Sequence, residues 1–321
     1  MTLFLDERCV ADLIDMKDAL DAVEEAFRAA GNGSAFNVPR MRAPLADGTL
    51  RITAATLHYC GYYGVKVSSS TVFESSAGRV LNLYKDATGE LCAVVQVFGL
   101  GALRTGAVSG VATRHLANED ATVLGVIGTG RQARTQVSAI CRVRPIREIR
   151  VFSRAPEHRA RFCAELAEDG LPAMAVGSAE EAVQNCDVVV TATTATAPVM
   201  LGRWLASGTH VNAVGANYEQ RRELDTEVVT RATVIATDDR DQVRYEATDL
   251  VAPVTEGSLR WEQVRGLGEI LAGTTPGRAT PDDITLFKSL GVALGDVALA
   301  ARAYETAICR GVGQQLPDLS A

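Results

Sequence analysis

Four cationic side chains stand where a solvated charge is not expected. Arg40 follows a proline, and Arg51 opens a β-rich run. Lys66 lies within another β-rich run, and Arg104 begins an apolar helical stretch. A buried cation costs free energy unless an opposite charge compensates it. These residues therefore either pair with structural carboxylates or converge on an anionic ligand, and the residues alone leave both interpretations open.

Lys66 has a further chemical use. It lies in the short apolar run 64–67, and desolvation lowers the pKa of a lysine. A lysine with a lowered pKa can donate a proton near neutral pH. Lys66 is therefore a candidate catalytic proton donor, and a simple carboxylate anchor is the alternative.

A glycine-rich turn suggests a second kind of site. Residues 128–133 have the pattern G-x-G-x-x-A, follow the apolar run 122–127 and open a helical stretch. In such turns the first glycine permits a tight bend and the second lets the backbone approach a pyrophosphate, which the helix N-terminus then binds. The turn predicts a dinucleotide site, and an ordinary strand-to-helix turn is the alternative.

The next strand bears on the choice of cofactor. A strand tip that selects NAD usually ends in a carboxylate, which accepts hydrogen bonds from the ribose 2′-hydroxyl. Here the strand ends in Phe152, Ser153 and Arg154, and the last two could bind a 2′-phosphate. The tip slightly favours NADP(H), but an arginine can also lie across the adenine or in solvent, so NAD and NADP both stay open.

The elements that must position these residues fall into two sets. Between residues 51 and 98, short β-rich runs with turn signals at Ala77-Gly78 and Thr88-Gly89 predict antiparallel strands. From Ala121 onward, alternating strands and helices predict a doubly wound parallel sheet. The expected fold class is α/β: a Rossmann domain at 119–297 and a smaller α+β domain at 1–118 with 298–321. The stretch 286–308 reads as a long helix that packs back onto the smaller domain.

Composition excludes several classes of function. A formal net charge of −7 disfavours nucleic acid as a partner, because phosphate binding needs a basic face. The seven cysteines contain no C-x-x-C pair and the four histidines show no ligand spacing, so we expect reduced thiols and no metal. We find no signal core and no run of roughly 20 apolar residues, and therefore expect a cytoplasmic protein without membrane association.

Several segments together resemble the ornithine cyclodeaminase/mu-crystallin family, in the family's order over about residues 5–308. They are Pro39-Arg40, Gly64-Val65-Lys66, Leu103-Arg104-Thr105, 127–133, 212–216 and Glu223-Leu224-Asp225. The resemblance implies a homodimer formed through the smaller domain, which also binds substrate, and an active site in a cleft that faces the nicotinamide.

The resemblance also implies roles for individual residues. Arg40, Lys66 and Arg104 match the positions that hold the substrate's α-carboxylate. Arg131 and Gln132 match positions that touch the cofactor phosphates. The loop Val214–Asn217 matches one that lies near the nicotinamide. Together with the glycine turn and the strand tip, the predicted cofactor-binding residues are Thr105, Gly128, Gly130, Arg131, Gln132, Ser153, Arg154, Val214, Gly215 and Asn217.

Two positions depart from the cyclodeaminases that the chain resembles. Those enzymes carry an acidic proton donor and acceptor directly after the Val-Gly-[Gly/Ala] loop, where this chain has Asn217, and an amide cannot take a proton at neutral pH. They also carry a glutamate where this chain has Arg51, eleven residues after Arg40. An arginine would repel the ammonium of ornithine and attract a carboxylate. Asp225 lies close to this loop in the sequence, but its setting indicates that it starts a helix and therefore has a structural role.

The sequence therefore predicts an NAD(P)H-dependent imine reductase that also runs as an amino-acid dehydrogenase. Arg40, Arg51, Lys66 and Arg104 would bind a small anionic imino or amino acid, with Arg51 as the specificity residue. Its charge suggests a dicarboxylic imine such as iminosuccinate, which gives aspartate. The alternatives are an alanine-dehydrogenase-like enzyme in which Arg51 shares a single carboxylate, a cyclodeaminase with tightly bound NAD, and a non-catalytic ligand carrier.

Overall fold

The chain divides into two compact units. The computed structural model describes residues 2–70 and 79–317, so the turn expected at Ala77-Gly78 lies outside the described residues. One unit comprises Met1–Arg104 and Gly291–Ala321, and the other comprises Thr105–Leu290. The sequence had suggested boundaries after residues 118 and 297. The first boundary instead falls inside a continuous helix, where the apolar pattern carries no signal of a change of unit.

The first unit is built on a mixed, mainly antiparallel sheet. Within the described residues, the strand order is β15-β1-β6-β5-β4-β3-β2. The strands are β1 (Leu3–Leu5), β2 (Ala35–Leu45), β3 (Gly48–Leu57), β4 (Tyr62–Ser70), β5 (Val80–Lys85), β6 (Leu91–Gln96) and β15 (Gln314–Gln315). The helices are α1 (Glu7–Leu13), α2 (Met16–Gly31), the first turns of α3 (Phe98–Leu116), and α10 (Ala293–Arg310).

Helix α2 is amphipathic. Asp15 and Asp18 form a reciprocal capping box at its start, which satisfies backbone N–H groups that a helix leaves without intrahelical partners. Its apolar stripe is buried at Leu20, Val23 and Phe27. Burial of this stripe holds the helix in the core of the first unit.

Helix α10 packs across β3 and β4. A Cβ atom on Gly64 would lie 3.0 Å from Cγ2 of Val297, so glycine lets the helix approach β4 closely. The expected C-terminal helix therefore exists, but it begins at Ala293. Residues 286–288 belong instead to a strand of the second unit, β14 (Thr285–Lys288), because a short buried strand and a buried helix have the same apolar composition.

The second unit confirms the α/β fold with a parallel sheet. The described strands run in the order β13-β12-β14-β11-β10-β7-β8-β9, and every pair is parallel. Besides β14, they are β7 (Val123–Ile127), β8 (Glu148–Phe152), β9 (Ala173–Ala175), β10 (Val188–Thr191), β11 (His210–Ala213), β12 (Val234–Thr237) and β13 (Val264–Gly266). The helices are the remainder of α3, α4 (Arg131–Val143), α5 (Pro156–Glu168), α6 (Thr226–Arg231), α7 (Val243–Glu246), α8 (Thr248–Thr255) and α9 (Leu267–Leu271).

This sheet has a core on each face. In β10, Val189 packs in one hydrophobic cluster, while Val188 and Val190 pack in the other. A strand buried on both faces must be apolar throughout, which explains its continuous valine run. The winding reverses between β7 and β10, since β8 and β9 lie to one side of β7 and the later strands to the other. Ligands of doubly wound sheets bind at the carboxyl ends of strands at such a point.

Across the described residues, none of the helices combines the length and the apolar character needed to cross a membrane.

Candidate functional site

A buried carboxylate gathers two of the predicted cations in the first unit. Asp296, in the first turn of α10, is fully buried. Its Oδ1 accepts a hydrogen bond from Nε of Arg104 at 3.2 Å, and its Oδ2 accepts one from Nζ of Lys66. The side chains of Lys66 and Arg104 are 14% and 11% exposed. Sequence reasoning missed Asp296, because it reads as one acid in the first turn of an Ala/Leu-rich helix.

The turn before α10 positions the arginines. Nη2 of Arg40 donates to the carbonyl oxygen of Gly291. Gly291 has a φ of +77°, and a Cβ atom there would lie 2.7 Å from Nη1 and 3.0 Å from Nη2 of Arg104. Glycine is therefore required both for the backbone conformation and for the guanidinium that lies against it.

Arg51 lies on the same face of the sheet as Lys66. In the β3–β4 ladder Arg51 opposes Ser68, and Thr53 opposes Lys66. Because side chains alternate between the faces of a strand, these four side chains share a face of the sheet. The Arg51–Ser68 pair lies about 7 Å along the ladder from the Thr53–Lys66 pair. Thr53 is buried, and its Oγ1 has no hydrogen-bond partner among the described residues.

The charged groups of this cluster influence one another. Three cations, Arg40, Lys66 and Arg104, lie near the carboxylate of Asp296, which forms ion pairs with Lys66 and Arg104. Burial lowers the pKa of Lys66; Asp296 opposes this shift and Arg104 and Arg40 reinforce it, so that the pKa is about 8. Burial works to raise the pKa of Asp296, but Arg104 and Lys66 outweigh it and hold this pKa below its usual value. Asp296 is therefore ionised at neutral pH.

The glycine turn of the second unit has the geometry of a dinucleotide site. Gly128 has a φ of +115°, and a Cβ atom there would collide with the carbonyl oxygen of Ala192. Gly130 is the N-cap of α4, and nothing in the described parts of the chain lies within 4 Å of where its Cβ would be. The space before the first turn of α4 is thus open to a phosphate group, which the helix N-terminus favours.

The other predicted cofactor residues lie on neighbouring elements of the second unit. Arg131 and Gln132 open α4, and Oε1 of Gln132 is buried without a partner among the residues described. Arg154 is exposed just beyond β8, and Oγ of Ser153 donates to the carbonyl of Ala155 at 3.2 Å. Thr105 is buried in α3, and its carbonyl accepts a hydrogen bond from Nε2 of Gln136 at 3.1 Å.

Glu223 joins the loops that follow β10 and β11. Its Oε1 accepts hydrogen bonds from the backbone N–H of Thr193 at 2.6 Å and from the Thr193 hydroxyl at 2.8 Å. Its Oε2 accepts from the backbone N–H of Gly215 at 2.7 Å and of Ala216 at 3.1 Å. One buried carboxylate thus fixes the loop that contains Val214, Gly215 and the half-buried Asn217. The sequence motif contained Glu223 but did not reveal this role.

A buried ion pair supports Glu223 in turn. Oδ1 of Asp249 accepts a hydrogen bond from the backbone N–H of Glu223 at 2.8 Å, and Oδ2 lies 2.9 Å from Nζ of Lys288. Burial raises the pKa of Glu223, and Lys288 opposes that shift. The expectation for Asp225 is confirmed: its side chain caps α6 by accepting from the backbone N–H of Val228 at 3.0 Å.

Within the described segments, no group of three or more His, Cys, Asp or Glu side chains could hold a metal ion.

The fold and these residues define a two-unit Rossmann-type protein, with a glycine turn at the edge of the parallel sheet in one unit and a cluster of cationic side chains around Asp296 in the other. The model of the ornithine cyclodeaminase/mu-crystallin family matches residues 1–310. The chain belongs to this family, as its motifs had indicated.

Several relatives are similar over nearly the whole chain. An alanine dehydrogenase of Archaeoglobus fulgidus is 36% identical over 98% of this chain and 98% of its own length. The Δ1-pyrroline-2-carboxylate reductase of Thermococcus litoralis, solved with NADH and L-proline, is 35% identical over 98% and 100% of the two chains with a TM-score of 0.91. An archaeal alanine dehydrogenase dimer with bound NAD is 35% identical over 98% and 99%, with a TM-score of 0.92. The iminosuccinate reductase of Paracoccus denitrificans, solved with NAD⁺, is 29% identical over 99% of both chains with a TM-score of 0.93.

Proposed function

We propose that this protein uses NAD(P)H to reduce a small imino acid to an amino acid, and that its preferred substrate is a dicarboxylic imine such as iminosuccinate. It is an oxidoreductase that acts on CH–NH or CH–NH₂ groups, the class to which the relatives named above belong, and three of those relatives were solved with NADH or NAD. The observation that carries the proposal is the cluster of three cations, Arg40, Lys66 and Arg104, that lies beside the buried carboxylate of Asp296 and the turn at Gly291. An α-carboxylate is the anion that every imino acid supplies.

The residues of the first unit divide the chemistry between them. Arg40 and Arg104 bind the α-carboxylate, since guanidinium groups match carboxylate geometry, and thereby orient the imine carbon. The bound cofactor supplies the hydride to that carbon. Lys66, with its pKa of about 8, donates the proton that the imine nitrogen gains. The buried hydroxyl of Thr53 offers a further hydrogen bond to the substrate.

Arg51 carries the choice of substrate. It lies about two residues along the ladder from Lys66 on the same face, which suits the second carboxylate of a four-carbon dicarboxylic imine. An alanine-dehydrogenase-like activity is the second candidate, and the 36% identity with the Archaeoglobus fulgidus enzyme favours it. In that case Arg51 shares the only carboxylate of iminopyruvate.

Different observations favour NADPH and NADH as the cofactor. The exposed Arg154 and the absence of a carboxylate at the described tip of β8 favour NADPH. The solved relatives named above hold NADH or NAD, which favours NADH. The residues that would hold either form are those of the glycine turn and the loops that Glu223 joins.

The function is tested by oxidation of NADH and NADPH in the presence of oxaloacetate, pyruvate or glyoxylate with ammonium or methylamine. We expect turnover with oxaloacetate and ammonium to exceed that with pyruvate. Substituting Arg51 by glutamate should lower the ratio of oxaloacetate to pyruvate turnover by about 10-fold or more, because a good charge-assisted hydrogen bond contributes roughly 1.5–3 kcal/mol.

Arg8→Glu is the matched control, since Arg8 is exposed on α1 and the substitution makes the same change in net charge. It should leave the ratio unchanged. An Arg51→Glu variant that keeps full preference for oxaloacetate would reject the dicarboxylate assignment. Absence of oxidation with any pair, together with ammonia release from ornithine, would instead establish a cyclodeaminase. Absence of both would point to a ligand carrier.

The proposal includes a homodimer formed through the outer face of the first sheet. The cross-strand sets Phe36–Thr56–Tyr63, Val38–Ala54–Val65 and Met41–Ile52–Val67 lie on the face opposite Lys66. Phe36, Val38, Met41 and Val67 are exposed there. A contiguous apolar patch marks an interaction site. A second copy of the chain is the partner that the dimeric archaeal alanine dehydrogenase favours.

Substituting Met41 by glutamate should convert the dimer to a monomer, as measured by light scattering after size-exclusion chromatography. Met41 is 63% exposed, and a charge buried in an apolar interface without a partner is costly. Met174→Glu on β9, where the methionine is 52% exposed, is the matched control and should leave the mass unchanged. A wild-type monomer, or a dimeric Met41→Glu variant, would refute this interface.

A further inference from the structure

We propose that Asp296 is a positioning residue that holds Lys66 and Arg104 in the substrate site and keeps Lys66 charged until the substrate carboxylate arrives. This inference rests on the proposed function and deepens it. The proton donor Lys66 then depends on the carboxylate of a buried aspartate in a helix. The loop at Asn217, where the cyclodeaminases carry an acidic residue, does not supply this carboxylate.

The contacts of Asp296 are those of an orienting group. Each of its oxygens serves a different cation: Oδ1 accepts from Nε of Arg104 at 3.2 Å, and Oδ2 accepts from Nζ of Lys66. An acceptor shared in this way fixes the direction of both side chains. It does not neutralise either of them individually, because one negative charge is divided between two positive charges.

The position of Asp296 is itself fixed by packing. It lies in the first turn of the 18-residue helix α10, where the positive end of the helix dipole stabilises a carboxylate. A Cβ atom on the preceding Gly295 would lie 3.4 Å from Cδ of Arg104, so the helix backbone runs along the stem of that arginine. The helix also packs on β4, which carries Lys66. Asp296 therefore has little freedom to follow the cations if they move.

The charged groups around Lys66 make its protonation depend on Asp296. Arg104 on α3 and Arg40 on β2 are cationic and, like burial, favour the neutral amine. Asp296 on α10 is the carboxylate that favours the ammonium form. Binding of an α-carboxylate brings a second negative charge to the same cations. Before that event, Asp296 alone among these neighbours retains the proton on Lys66.

The experiment measures the titration of Lys66 directly, by NMR of the full chain labelled with ¹³C at lysine Cε, together with the pH dependence of kcat/KM for imine reduction. The Lys66 resonance is assigned with Lys66→Arg. In Asp296→Asn we expect the Lys66 titration, and the alkaline limb of the activity profile, to move to lower pH by about one unit or more. Asp296→Glu should restore the titration but not the full kcat, because the longer side chain displaces both cations.

Asp225→Asn makes the same chemical change at the cap of α6 and should leave the Lys66 titration where it is. An unchanged Lys66 titration in Asp296→Asn would overturn the inference, and so would wild-type kcat in that variant. If Asp296→Asn does not fold, a full kcat in Asp296→Glu would overturn it. If the wild type reduces no imine but the Lys66 titration still moves in Asp296→Asn, the proposed function fails while the charge coupling is supported.

Discussion

Replacing Lys66 by methionine lowers kcat/KM for imine reduction by about 10²- to 10⁴-fold, the range that loss of a positioned general acid produces. Methionine has a similar length and no proton to give, and the buried Asp296 keeps its ion pair with Arg104. The effect should fall mainly on kcat, because Arg40 and Arg104 still bind the carboxylate. Steady-state kinetics with saturating cofactor measure it.

Lys66→Arg separates the two roles considered for this lysine. Arginine keeps the positive charge that an anchor needs, but its pKa is far above that of lysine, so it does not donate a proton at neutral pH. If Lys66 is the proton donor, Lys66→Arg loses most of the activity and keeps a KM near that of the wild type. A fully active Lys66→Arg variant would show that the residue only anchors the carboxylate.

The pH dependence of kcat/KM in the wild type follows from the titration of Lys66. Reduction needs protonated Lys66, so kcat/KM for the imine should fall as the pH rises through about 8, the pKa of this lysine in the free enzyme. Oxidation of the amino acid needs the neutral amine, so its kcat/KM should rise over the same interval. Lys66→Arg should abolish both limbs. Profiles in which the two directions move together would contradict this assignment.

Two alanine substitutions in the glycine turn should separate folding from cofactor binding. In Gly128→Ala the new Cβ meets the carbonyl oxygen of Ala192 at a φ of +115°, and a non-glycine residue in such a conformation costs about 1–3 kcal/mol before the clash is counted. We therefore expect a lower melting temperature and little or no NADH binding. Differential scanning calorimetry and NADH fluorescence titration measure the two effects.

Gly130→Ala is the matched control for this prediction. Nothing among the described residues lies within 4 Å of its added Cβ, and its φ of −86° suits alanine. The melting temperature without cofactor should stay unchanged, whereas the Kd for NADH should rise about 10-fold or more, which corresponds to 1.4 kcal/mol. If Gly130→Ala binds NADH as tightly as the wild type, the pyrophosphate does not lie at this glycine.

Most of the architecture could be predicted because its signals are local. Apolar runs such as 122–127 alternate with helical stretches, and a glycine-rich turn follows the first of these runs, so the parallel sheet and its predicted binding edge are encoded over short distances. Errors arose where composition is ambiguous. Residues 286–288 were read as helix although they form β14, and the boundary inside α3 gave no signal at Arg104.

The sequence by itself determined the kinds of chemistry that the protein can perform. The types of Arg40, Lys66 and Arg104, the arginine at position 51 and the asparagine at position 217 are properties of the chain, and together with the family resemblance they favour an anionic substrate. Only the tertiary structure decided which charged groups contact one another. Asp296 is 230 residues from Lys66 and 192 from Arg104, and Glu223 is 30 residues from Thr193, whose loop it joins to its own. Such contacts depend on how distant elements pack, and no local spacing in the sequence records them.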